Sequence, residues 1–235
     1  MKTTRSEFGH EYQTYRFGYC EYADVEKTDN LAEIYGSGFL PFSADPSIYG
    51  RFYMARSARI LLPRFACSSE NRRIAKRFDG LFSKSVLSPS ETKKDQRVRT
   101  LFLDYFLKRH GKEVMPPSRF DAILKTPLPI RFVTYTKEGQ LAAAALEVSA
   151  ATFGHFWFSA YDVSYAYQSL GMWLMLDAVR EAQRSGRTHF YLGTVYGEKA
   201  LYKTNLEPLE FWNGSAWDTD LARLKKVARS EPKRA

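Results

Sequence analysis

The chain has 235 residues, 44% of them hydrophobic, with a formal net charge of +9. That length supports one large domain or two small ones with a real core. No apolar run reaches the roughly 18 residues of a membrane span, and the start, Met1-Lys2-Thr3-Thr4-Arg5-Ser6-Glu7, lacks an apolar signal core, so a cytoplasmic protein is expected. Cys20 and Cys67 form no Cys-x-x-Cys, and His10, His110, His155 and His189 do not pair at ligand spacing, which argues against a structural metal site.

Residues 1–12 are polar and read as mobile. Aromatics alternate with small or polar residues over 15–22, a strand pattern. Residues 25–35 read as a short helix closed by Gly36 and Gly38. A second extended stretch covers 49–65, with Phe52, Met54, Ile60 and Leu62 at its apolar positions. Ser68 then caps a basic helix with Arg72, Arg73, Lys76 and Arg77 on one face. The polar, proline-containing stretch 83–94 suggests a boundary between a smaller N-terminal half, 1–82, and a second half, 83–220. Helix is expected over 93–110, with Val98, Leu101, Phe102, Tyr105 and Phe106 at helical spacing and Gly111 as its end. A short helix over 118–125 follows Pro116-Pro117.

From Pro129 the pattern changes to sheet. Strands over 130–136 and 141–148 flank a Glu138-Gly139 turn, and a third runs over 153–161. A long amphipathic helix over 169–185 ends at Gly186. A buried-type strand over 188–193, a short helix over 198–204 and a strand over 209–212 follow. The tail, 221–235, is a basic helix with a disordered end. This order describes an α/β fold of the GNAT acyltransferase type, a mixed, mostly antiparallel sheet flanked by helices, plus the smaller N-terminal α/β half. Ligands are expected where the strand before the long helix splays from the next strand.

The chemistry-bearing residues gather at that edge. Gln168-Ser169-Leu170-Gly171 opens the long helix, whose free N–H groups and dipole favour an anion. N-acetyltransferases that use acetyl-coenzyme A carry Gln/Arg-x-x-Gly-x-Gly/Ala here; Gln168 and Gly171 match, and Trp173 stands at the last small position, where an indole should crowd a pyrophosphate. Asp162 could orient an amine or a ribose hydroxyl, or simply form a turn. Tyr191-Leu192-Gly193 ends a strand at the same edge, and its glycine permits close approach of a ligand. Tyr202 and Lys203 follow on the next helix, with the lysine suited to a phosphate or carboxylate. The basic helix face could grip phosphates or be solvated, and the excess positive charge favours a polyanionic partner. Gly-x-Ser-x-Gly does not occur and neither cysteine has a histidine partner nearby in sequence, so covalent catalysis is not indicated; the Gly-x-x-x-x-Gly-Lys phosphate loop does not occur either.

Over about three-quarters of its length the sequence resembles the N-degron aminoacyl-tRNA–protein transferases, the arginyltransferases and the bacterial leucyltransferases that act on acidic N-termini. The matching blocks are Ala160-Tyr161-Asp162-Val163, Ser169-Leu170-Gly171, Tyr191-Leu192-Gly193-Thr194, Ala200-Leu201-Tyr202-Lys203 and Pro208-Leu209-Glu210, with Gly38-Phe39, Arg59-Ile60 and Ser68-Ser69 to Arg72-Arg73 upstream. The family's N-terminal cysteine motif and Cys-x-x-Cys pair have no counterpart. Val163 replaces a proline and Thr194 an aromatic, so the chain reads as a divergent member.

The resemblance implies transfer of an arginyl or leucyl group from aminoacyl-tRNA, the co-substrate in place of any cofactor, to the α-amine of an acidic protein or peptide N-terminus. Asp162, Tyr161, Lys203 and Tyr202 then serve the chemistry. Gln168, Ser169, Leu170, Gly171, Tyr191, Gly193, Thr194 and Glu210 bind substrate, and Arg72, Arg73, Lys76 and Arg77 hold the tRNA. An α-amine of pKa about 8 keeps an appreciable neutral fraction at cellular pH, and an activated ester needs positioning and oxyanion stabilisation rather than a covalent intermediate. The alternatives are an acyl-coenzyme-A-dependent N-acyltransferase on the same sheet and a catalytically silent tRNA- or protein-binding relative.

Overall fold

A computed structural model describes residues 2–7, 19–26, 29–45 and 47–231. Strands β1 (Lys2–Glu7), β2 (Tyr19–Asp24), β3 (Phe39–Pro41) and β4 (Arg51–Met54) form a small antiparallel sheet in the order β1-β2-β4-β3. Residues 2–7, expected to be mobile, are therefore strand. The expectations for 1, 8–12, 15–18, 27–28 and 232–235 lie outside the described residues. The helix expected over 25–35 is only α1 (Leu31–Gly36). Asn30 accepts from the Ala32 N–H and starts it, while Asp29 accepts from the Glu26 N–H at 3.0 Å. Capping at Asn30 outweighed the apolar spacing.

The extended stretch 49–65 divides between two sheets, β4 in the small one and β5 (Ser57–Leu61) in a large one, before a 3-10 turn at Leu62–Arg64. Helix α2 (Ser69–Phe78) starts as read, with Ser68 Oγ accepting from the Asn71 N–H. The stretch 83–94, read as a boundary, is regular structure. It is β6 (Ser83–Leu87), paired with a neighbouring strand, then α3 (Pro89–Lys94), opened by a Ser88/Glu91 capping box with proline in its first turn. The chain continues through α4 (Gln96–His110), α5 (Pro117–Leu124), β7 (Ile130–Lys137), β8 (Gln140–Ser149) and β9 (Phe153–Tyr161). It ends with α6 (Leu170–Arg184), β10 (His189–Thr194), β11 (Leu209–Trp212), β12 (Trp217–Asp218) and α7 (Leu221–Ser230). Positive φ values at Glu138 (52°) and Gly139 (78°) make the β7–β8 connection the expected tight hairpin.

The large sheet has the order β12-β11-β5-β10-β9-β8-β7-β6, and every adjacent pair is antiparallel except β9–β10. It is the mixed, mostly antiparallel α/β sheet that the sequence pattern called for. Strand β5, from the segment read as the N-terminal half, is one of its interior strands. Phe102 of α4 packs on Phe132, and Trp173 of α6 packs on Tyr135. Residues 132 and 135 point to opposite faces of β7, so α4 and α6 cover the two sides of the sheet. Among the described residues no helix is long and apolar enough to cross a membrane.

Candidate active site

The parallel pairing of β9 with β10 lasts for three residues only, His189 with Phe153, Phe190 with Gly154 and Tyr191 with His155. Both strands carry a bulge at that level. Leu146 and Glu147 pair with Phe158 and Phe156, leaving Trp157 as the extra residue of β9. Ala58 and Arg59 pair with Gly193 and Tyr191, leaving Leu192 as that of β10. A bulge bends its strand and takes a peptide unit out of the ladder, so two bulges side by side part the strands. A cavity of about 630 Å³ opens there. Strands β9 and β10, the end of α4, the first turn of α6 and a 3-10 segment, Glu198–Asn205, line it. Its walls include Arg109, Arg119, Lys199 and Lys203 and, among the described residues, no aspartate or glutamate.

Of the residues expected at the site, Tyr161, Ser169, Gly171, Gly193, Thr194, Tyr202 and Lys203 line this cavity. Ser169 takes a left-handed backbone (φ 68°) and turns the chain into α6. Gly171 sits against Tyr161; a Cβ there would lie 3.0 Å from Tyr161 Cε1. The Tyr161 ring in turn packs on that of Tyr105 of α4, with centroids 4.7 Å apart, and burial raises the Tyr105 phenol far above its ordinary pKa. Lys203 Nζ donates to the Thr194 carbonyl at 2.7 Å, which fixes the ammonium at the end of β10.

The remaining expected residues do not line it. Asp162 is exposed and accepts from the Ser164 N–H at 2.9 Å, capping the 3-10 turn Val163–Gln168; it borders a separate surface hollow with Arg97, Thr100 and Asp104. Leu170 and Tyr191 are buried, with Tyr191 wedged among Tyr35, Phe153 and Trp217. Glu210 is bound by Arg59 at 2.7 Å, and that guanidinium stacks on Trp217 at 3.9 Å. The Gln168 carbonyl accepts from Arg77 at 3.0 Å, so Gln168 ties α2 to the turn before α6. On the α2 face, Arg72 donates to the Cys67 carbonyl, Arg73 is held by Glu70, and Lys76 is exposed; none of the four basic residues lines the cavity.

Trp173 was expected to crowd a phosphate site. It is instead buried with Phe78, Phe82 and Tyr135 on the far side of α6, its Nε1–H donating to Asp79 at 2.8 Å. Position 173 lies about 200° around the helix from 171, at roughly 100° per residue, so its indole leaves the anion-facing turn open.

His155 is the residue that the sequence did not point to. It is 1% exposed, yet it lines the cavity. Its Nδ1 lies 3.0 Å from the hydroxyl of Tyr35 in α1, a residue 120 positions away. Burial, with Lys203 nearby, pushes its pKa down to about 3, so the imidazole is neutral. A lone histidine on an aromatic strand reads as core, and only the tertiary fold supplies Tyr35 and the open space beside it. Cys67 carries a free thiol, and among the described residues no cluster of three metal-ligating side chains occurs.

Residues 91–204 match the family model of the acetyltransferase (GNAT) domain. An aspartate/glutamate leucyltransferase of Stutzerimonas stutzeri is 30% identical over 168 residues, covering 69% of this chain and 70% of that protein. The chain belongs to the aspartate/glutamate leucyltransferase family. The enzyme of that name from Cereibacter sphaeroides is 31% identical over 173 residues, covering 68% of this chain and 60% of its own length, so the chain spans about three-fifths of that relative. Among solved structures, L-PGS from Bacillus licheniformis aligns with a TM-score of 0.47 and 16% identity over 59% of this chain and 44% of that one.

Proposed function

We propose that this chain transfers an amino acid from aminoacyl-tRNA to the α-amine of a protein or peptide whose N-terminal residue is acidic, in the cytoplasm. The observation that carries this reading is the cavity at the parting of β9 and β10, lined by the basic side chains of Arg109, Arg119, Lys199 and Lys203 with no carboxylate among the described lining residues. Both proposed ligands, a tRNA 3′ end and an Asp- or Glu-initiated peptide, are anionic, and a carboxylate-free wall avoids like-charge repulsion with either. The names of the family relatives favour leucine as the transferred residue; arginine is the second candidate. The first turn of α6, at Ser169 and Gly171, receives a terminal phosphate. Lys203 faces a phosphate or the acidic side chain, with Tyr202 beside it. The α2 cations and Lys199 track the acceptor stem.

A second reading, N-acylation from acyl-coenzyme A, is favoured by the GNAT match and by the removal of Trp173 from the anion-facing turn. Transfer assays separate them. Leucyl- and arginyl-tRNA and acetyl-coenzyme A are each offered with peptides beginning in Asp, Glu or Ala. Product from a charged tRNA on the acidic peptides is expected; product from acetyl-coenzyme A alone overturns the first reading in favour of the second. Binding of uncharged tRNA should weaken steeply with salt, and a flat response contradicts phosphate contacts.

A further inference from the structure

We infer that His155 is a neutral hydrogen-bond donor, its Nε2–H directed at the carbonyl oxygen of the transferred aminoacyl group, with Tyr35 as the residue that sets its tautomer. The inference rests on the aminoacyl-transfer reading above.

The tautomer follows from counting donors. Tyr35 is fully buried, and among the described residues its hydroxyl has one hydrogen-bond partner, Nδ1 of His155 at 3.0 Å. A buried hydroxyl hydrogen needs an acceptor, so Tyr35 donates and Nδ1 accepts. The hydrogen of the neutral ring is therefore on Nε2. That nitrogen has no hydrogen-bond partner among the described residues, and its ring lines the cavity. Its surroundings are defined by Gly193: a Cβ placed there would lie 3.9 Å from His155 Nε2 and 3.6 Å from Lys203 Nζ. Glycine leaves that space empty, between a neutral donor and an ammonium, where the two strands separate. The depressed pKa keeps the ring uncharged at neutral pH, so it serves as a donor and not as an acid or base.

The step balances without further reactants. The acceptor's amine lone pair attacks the ester carbonyl carbon, a C–N bond forms, and the carbonyl π pair moves to oxygen. His155 Nε2–H and Lys203 stabilise that oxyanion. The C=O bond re-forms as the ester C–O bond breaks, the ribose oxygen leaves and takes up a proton, and the nitrogen releases one to solvent. The products are the extended peptide and deacylated tRNA.

Three measurements decide the matter. In His155→Gln the amide nitrogen replaces Nε2–H as a donor, and in His155→Phe the donor is gone. Transfer from leucyl-tRNA should fall by about 10²–10³-fold in kcat for His155→Phe, with KM little changed, and His155→Gln should recover to within about ten-fold of wild type. Nitrogen-15 NMR of histidine-labelled protein, with His155 assigned by its loss in His155→Gln, should show a protonated Nε2 and an accepting Nδ1. The Nε2–H resonance should move on adding 3′-leucylamino-3′-deoxyadenosine and not on adding acetyl-coenzyme A. Active wild type with undiminished His155→Phe, or a ring protonated on Nδ1, overturns the role of His155 and leaves the transfer reading standing. Wild type that transfers from no charged tRNA removes the transfer reading itself.

Discussion

Replacing Gly193 by alanine tests whether the space between the parted strands is used. Gly193 has φ of 78°, and its missing Cβ would stand 3.6 Å from Lys203 Nζ and 3.9 Å from His155 Nε2 and the Phe156 carbonyl oxygen. These are ordinary contact distances, so the methyl group fits without moving a neighbour. The folding cost is then the left-handed backbone, about 1–2 kcal/mol for a non-glycine residue. At this chain length each kcal/mol lowers Tm by about 2–4 °C, so thermal denaturation should show a drop of roughly 2–8 °C and a protein still folded at assay temperature. The effect on chemistry should be larger, because the methyl group occupies the space assigned to a reacting oxygen. A displacement of about 1 Å there costs on the order of 10²-fold in rate. Gly154→Ala is the matched control. Its Cβ would meet the buried Phe190 ring at 2.7 Å, so it disturbs packing away from the cavity walls. Single-turnover transfer, measured where all three proteins are folded, should fall for Gly193→Ala well beyond Gly154→Ala. Wild-type turnover in folded Gly193→Ala would show that no substrate atom enters the space.

Asp162→Ala removes a turn cap and should cost about 1 kcal/mol in denaturant titration, with transfer retained. Asp162→Asn still caps and should change neither, so a transfer-dead Asp162→Asn would restore an amine-orienting role. Asp177 accepts from Tyr135 Oη at 2.9 Å and from Lys84 Nζ at 2.8 Å; Lys84 also reaches Glu181 at 2.6 Å. Asp177→Ala therefore leaves the buried Tyr135 hydroxyl as the unsatisfied group, worth about 1–3 kcal/mol, read as a lower urea midpoint. The Arg180 guanidinium, with the Trp173 N–H, holds Asp79 below its ordinary carboxylate value of 3.8. A depressed carboxylate contributes stability that is complete above its unfolded pKa and is lost as pH falls through its folded value. Asp79→Asn should accordingly flatten the acid limb of the stability–pH curve below about pH 4 and leave an offset that no longer varies with pH above it.

Local chemistry was readable wherever a short stretch determines its own conformation. Ser68 capping α2, the Glu138-Gly139 hairpin, Gly111 and Gly186 after their helices, and the period of α6 all follow from neighbours within a turn or two, and the place where β9 leaves β10 followed from their order. The cluster of Tyr161, Ser169, Gly171, Gly193, Thr194 and Lys203 was legible because strand ends and helix starts at one edge of such a sheet must converge. Burial and partnership were not legible. Trp173 was read at an anion site but faces Phe78 and Tyr135, and Asp162 forms a turn cap. The strand over 83–87 was hidden in a polar, proline-containing stretch, because its partner is the edge that β7 offers to β6. The role inferred for His155 depends on Tyr35, 120 residues earlier, which takes up its other nitrogen in the buried interior. Sequence sets what each segment prefers over a few residues; the hydrogen bonds and contacts that assign a side chain to core or cavity come from segments brought together by burial of the sheet.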